Sequence, residues 1–112
     1  MRIELTDQRV EVRLALWQKA LGLLKDISIA RSDISDVRVV AEPLAEVAGT
    51  GPKIGVRLPR LYYVARTIHL DNVFVVRRGV PALSFSVRNH GALKRVLLST
   101  PDAEELARRL GG

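Results

Sequence analysis

Cysteine is missing from this 112-residue chain altogether, which excludes a disulfide framework and every cysteine-ligated zinc or iron–sulfur site. Histidine is nearly missing: His69 and His90 stand alone, with no HExxH spacing and too few partners to complete a zinc site. No metal and no other cofactor are expected. Aromatic residues number five, so a core must be built from Val, Leu, Ile and Ala. The same scarcity argues against a stacking platform for single-stranded nucleic acid. Only Tyr62-Tyr63 offers aromatics near basic residues, and neighbours on a strand point to opposite faces. No apolar run approaches the length of a membrane helix, and the charged start MRIELTDQ predicts no secretory leader. A cytoplasmic protein is expected.

Catalytic signatures are absent as well. Ser84 and Ser86 sit on an alternating strand with no GxSxG elbow to expose a hydroxyl. Gly49-Thr50-Gly51-Pro52-Lys53 lacks the spacing of a phosphate loop, and Pro52 removes an amide donor such a cradle would use. The Glu104-Glu105 pair falls in a helix's first turn, where the helix dipole accounts for it. No enzyme and no small-molecule substrate are expected.

The chain does contain a well-marked C-terminal third. In Ala82–Asn89, Leu83, Phe85 and Val87 alternate with Ser84, Ser86 and Arg88, the period of a strand with one buried face. Asn89-His90-Gly91 supplies turn chemistry, and Arg95–Ser99 returns as a second strand. Thr100 and Pro101 then open a helix whose Ala103, Leu106, Ala107 and Leu110 form one apolar stripe. Upstream, Val10–Leu16 alternates as a half-buried strand, and Trp17, Ala20, Leu21 and Leu24 recur at helical spacing, predicting a short early helix, with a second strand as the alternative. Strands are expected over Asp26–Ala30, Val37–Ala41, Tyr62–Leu70 and Val73–Arg78. Between Glu42 and Arg60 the periodicity lapses, leaving Ile54, Val56 and Leu58 as a candidate edge strand. The order is about seven strands, an early helix and a terminal helix, in one mainly β (α+β) domain over residues 1–112. A chain this long buries roughly 65% of its unfolded surface, enough for a core without staples.

Net charge is +6, and its distribution says more than its sum. Residues 1–50 net −1, while residues 53–95 carry nine basic residues against Asp71 alone, a net of +8. Solvated arginines on outward strand faces account for much of this, since their stems also cover apolar surface. The alternative is one positive surface made of Lys53, Arg57, Arg60, Arg78 and Arg88, suited to an anionic partner.

Seven strands capped by a C-terminal helix is the order of a pleckstrin-homology (PH) domain, and residues 1–110 can be laid onto it. Three stretches resemble small bacterial PH-like proteins: RSDISDVRVV (Arg31–Val40), IGVRLPRLYY (Ile54–Tyr63), and FVVRRGVPALSFSV with the RVLLSTPDAEELARRL ending. The resemblance implies a strongly bent pair of sheets, a seven-stranded barrel or sandwich, with its open end plugged by the terminal helix. The region Arg9–Ala30 contains no [KR]-x-R pattern, so phosphoinositide recognition of the eukaryotic kind is not implied. The function expected is a binding module whose partner is another protein or a second copy, engaged through an open sheet edge. Peripheral attachment to an anionic membrane through the basic surface is the alternative. Nucleic acid, reached through the same charges, ranks behind both.

Overall fold

The computed structural model describes residues 2–15, 26–48, 53–58, 62–67 and 71–111, the strands at 53–58 and 62–67 by their backbone alone. The expected early helix around Trp17 lies outside the described residues, as do Arg60 and His69.

Three strands, β1 (Arg2–Leu5), β2 (Arg9–Arg13) and β3 (Ile27–Ala30), form a small antiparallel meander. On β2 and β3 the alternation is strict. Val10 and Val12 on β2 and Ile27 and Ile29 on β3 are buried, and the register sets Val10 opposite Ile29 and Val12 opposite Ile27. Arg9 and Arg13 point to water, where Arg13 meets Glu4 and Glu11. A short 3-10 turn, Arg31–Asp33, carries the chain into the larger sheet. That sheet holds β4 (Ile34–Val40), β5 (Lys53–Leu58), β6 (Tyr62–Thr67), β7 (Asn72–Arg77), β8 (Ala82–Val87) and β9 (Arg95–Ser99), in the spatial order β4-β8-β9-β7-β6-β5. Two helices complete the described residues, α1 (Pro43–Ala48) and α2 (Ala103–Arg109).

Mainly β with a terminal helix is therefore what the chain forms, but the strand count and the pairing differ from the expected seven-stranded arrangement. Nine strands are described, and β9 inserts between β7 and β8, running parallel to β7 and antiparallel to β8. The physical reason is visible in the residues. Val73-Phe74-Val75-Val76 and Val96-Leu97-Leu98 are unbroken apolar runs, and every one of these side chains is buried. Strands buried on both faces belong in the middle of a sheet.

Both faces of the larger sheet are covered where β7, β8 and β9 run. On the first, Val73, Val75, Leu83, Phe85, Val96 and Leu98 join Val10, Val12, Ile27 and Ile29 of the meander, together with Ala103, Leu106 and Ala107 of α2. On the second, Phe74, Val76, Ala82 and Leu97 pack with Val47 and Leu44 of α1. Ser84 was expected on a polar face. It is instead fully buried, because α1 covers that side of β8. Helix α1 was unexpected, since six residues give barely two turns of pattern. Its signals are Pro43 at the first helical position and Leu44 and Val47 three apart.

The terminal helix sits as its stripe requires: Ala103, Leu106 and Ala107 are buried and Leu110 is half-buried against the same core. The Thr100 hydroxyl accepts the Asp102 N–H at 3.2 Å, one residue ahead of the helix proper, so it caps the approach turn. Arg31 fastens the helix's far end, donating to the carbonyls of Thr6 and Arg109. A cation there also meets the negative end of the helix dipole.

Gly79 tests the β7–β8 connection, which must pass over β9. Its φ is +78°, and a Cβ built there would meet nothing within 4 Å. The cost of Gly79→Ala is then one of backbone alone, about 1–2 kcal/mol. Chemical denaturation should show this loss with an unchanged m-value. A neutral result would mean that the turn relaxes out of the left-handed region.

Candidate functional site

Of the five residues expected to form a positive surface, the structure places four. Lys53 opens β5 at the end of the sheet where β7 begins and β8 finishes. Arg88 follows β8 at that same end, but four strand intervals away, roughly 19 Å by strand spacing. Arg57 lies toward the other end of β5, in register with Tyr63 and through it with Val76. Arg78, exposed, follows β7 at that end, two strand intervals from β5, roughly 10 Å. The backbone thus brings Arg57 and Arg78 together and Lys53 and Arg88 to the opposite end.

Arg88 is also occupied. Its Nη2 donates to the Ser32 carbonyl at 2.9 Å and its amide to the Asp33 carbonyl at 3.0 Å, while Asn89 Nδ2 donates to Asp33 Oδ1 at 3.3 Å. These bonds lash the β8–β9 hairpin to the turn that launches β4. Positive φ at Asn89 (58°) and Gly91 (61°) lets the hairpin close, and the His90 carbonyl accepts the Leu93 amide inside it. His90 is thereby a half-buried turn residue.

Strand β4 is the more open feature. It is an outer strand of the larger sheet, paired on one side with β8 through Ile34–Val87, Ser35–Ser86, Arg38–Ser84, Val39–Leu83 and Val40–Ala82. A bulge falls between Ser35 and Arg38, with Asp36 at φ 51°. After it, Arg38, Val39 and Val40 run in regular register. No backbone hydrogen bond among the described residues engages the open side of these three residues. Val39 is 38% exposed, the most exposed large apolar side chain among the described residues.

Beside this edge, on the face that α1 covers, lies a polar cluster. Arg38 and Ser84 are directly opposed, as are Ser86 and Arg95. Arg95 Nε donates to the buried Ser84 Oγ at 3.2 Å. Glu46 of α1 reaches down with one carboxylate oxygen, Oε1, which lies 3.6 Å from Arg38 Nη2 and 3.8 Å from Arg95 Nη2. Asp36 Oδ2 is 3.9 Å from Arg38 Nε. Partly exposed pairs at such lengths add little stability, about 0–1 kcal/mol each.

Sequence reasoning passed over Val39, Arg38, Glu46 and Arg95 as site residues. The alternation of Val37 and Val39 around Arg38 was readable, but that β4 takes an outer position is set by pairing far along the chain. Among the described residues there is no group of three or more His, Asp or Glu side chains placed to hold a metal ion, and no helix is long and apolar enough to cross a membrane. The chain matches no protein-family model, no curated protein and no solved structure.

Proposed function

We propose that this chain is a non-enzymatic interaction module that takes an extended segment of another protein onto the open edge of its larger sheet, along β4. The observation that carries the reading is the regular stretch Arg38–Val40, an outer strand whose far-side backbone groups bond to none of the described residues, with an exposed valine. An incoming strand gains main-chain hydrogen bonds from such an edge and side-chain contacts from alternate residues. The bulge at Asp36 limits indiscriminate pairing, as bulges on sheet edges do. A PH-like architecture belongs to the same proposal. Two sheets and a terminal helix support it, whereas nine strands and the parallel β7–β9 pair depart from it. A cytoplasmic setting fits the cysteine-free composition.

Attachment to an anionic membrane draws less support, because the charges proposed for it divide between two ends of the sheet. Its best footing is the end where Arg57 and Arg78 come together.

Lysine at position 39 should separate the two. An edge lysine blocks strand addition at little cost to the fold. Val39→Lys is expected to abolish capture of a protein partner that wild type retains at raised salt, while leaving vesicle binding unchanged. Loss of binding only when Lys53, Arg57 and Arg60 are changed to Gln, together with release by salt, would favour the membrane reading.

A further inference from the structure

We propose that Arg38 and Arg95 form a binding site for a phosphate group, and that Glu46 is its built-in competitor. Two guanidinium groups from separated strands converge on a single carboxylate oxygen, at 3.6 and 3.8 Å, beyond hydrogen-bond length for both. Arg95 Nη2 is shielded from solvent and has no hydrogen-bond partner among the described residues. A shielded guanidinium nitrogen without an acceptor is costly, and structures normally supply one. One monoanionic oxygen cannot offer two forked donors what they can bind. A phosphate can, since it brings three or more acceptor oxygens and up to two negative charges.

The surroundings fit an exchangeable counter-ion. Glu46 is 40% exposed and stands on a six-residue helix, so its side chain can rotate outward and uncover Arg95 Nη2. The buried Ser84 hydroxyl accepts from Arg95 Nε and so holds that guanidinium in place. Asp36 approaches Arg38 from the other side at 3.9 Å and sets a second, weaker competition. Phosphate free in solution and phosphate carried on a serine of a partner chain present the same group to this cluster. The site does not depend on the edge-binding reading, since the free ion suffices to fill it.

The test is a titration of the full chain, watching the Nε–H resonances of Arg38 and Arg95 at constant ionic strength. Inorganic phosphate, O-phosphoserine and acetate are added separately. Saturable shifts with phosphate but not with acetate are expected, lost in Arg95→Gln, and Glu46→Gln should bind phosphate about tenfold more tightly. O-phosphoserine binding more tightly than the free ion would point to a phosphorylated partner, and the reverse order to the free ion. Shifts that do not saturate, that persist in Arg95→Gln, or that acetate reproduces equally would overturn the proposal. So would a Glu46→Gln variant that folds and binds phosphate no better than wild type. Should Glu46→Gln fail to fold, the wild-type and Arg95→Gln titrations decide the matter alone.

Discussion

Cutting Phe85 back to alanine is expected to lower the unfolding free energy by about 3–5 kcal/mol. Phe85 is fully buried on a central strand, and the register sets it against Val96, which in turn stands against Val73. All three belong to the core that the larger sheet shares with the β1–β3 meander and α2. Neighbouring strands on both sides of β8 hold the backbone, so the cavity cannot close by local collapse. Domains of this size hold roughly 5–15 kcal/mol in total, so one such loss removes a large share of it. The denaturation midpoint should fall sharply at constant m-value. A loss below about 1 kcal/mol would mean that β8 is not the shared wall of the core.

Leu106→Ala is expected to cost about 2–5 kcal/mol, with Leu110→Ala well below it. The difference between the two is the informative part. Leu106 is 7% exposed, while Leu110, one turn on, is half-buried at the helix end. Helix α2 touches both β4 and β8. Its stripe thus closes the first face over the same strand whose outer edge is proposed as the docking site. Destabilising the helix should therefore also loosen β4, measurable as faster amide exchange at Val39 and Val40. Equal costs at both positions, or an unchanged midpoint for Leu106→Ala, would remove the helix from its place as the core's lid.

Local patterns carried much of this fold into view. The alternation of Val10 and Val12, the Asn89–Gly91 turn, the β8–β9 hairpin and the apolar stripe of α2 are all properties of short stretches. So is β5, which takes the outer position expected from Ile54, Val56 and Leu58. What stayed hidden depends on which strands meet. The insertion of β9 between β7 and β8 follows from long-range packing, although Val73–Val76 and Val96–Leu98 advertised two-sided burial by their unbroken apolarity. β1 was missed for its brevity, with only Ile3 and Leu5 to mark it. The basic surface was reasoned from charge counts along the chain. Counts cannot say that Lys53 and Arg88 lie four strands apart, or that Arg88 is committed to the Ser32 carbonyl. Glu46 entered the site only because an unforeseen helix delivered it between two arginines.

Strand β4 is the surface proposed to meet a protein. A photo-crosslinking side chain placed at Val39, and separately at Arg78, in a native lysate of the source cell tests that most directly. Crosslinking to a discrete protein from position 39, insensitive to raised salt and absent from position 78, is the result predicted. Crosslinks from position 78 alone, or none from either position while anionic vesicles bind the protein, would contradict it.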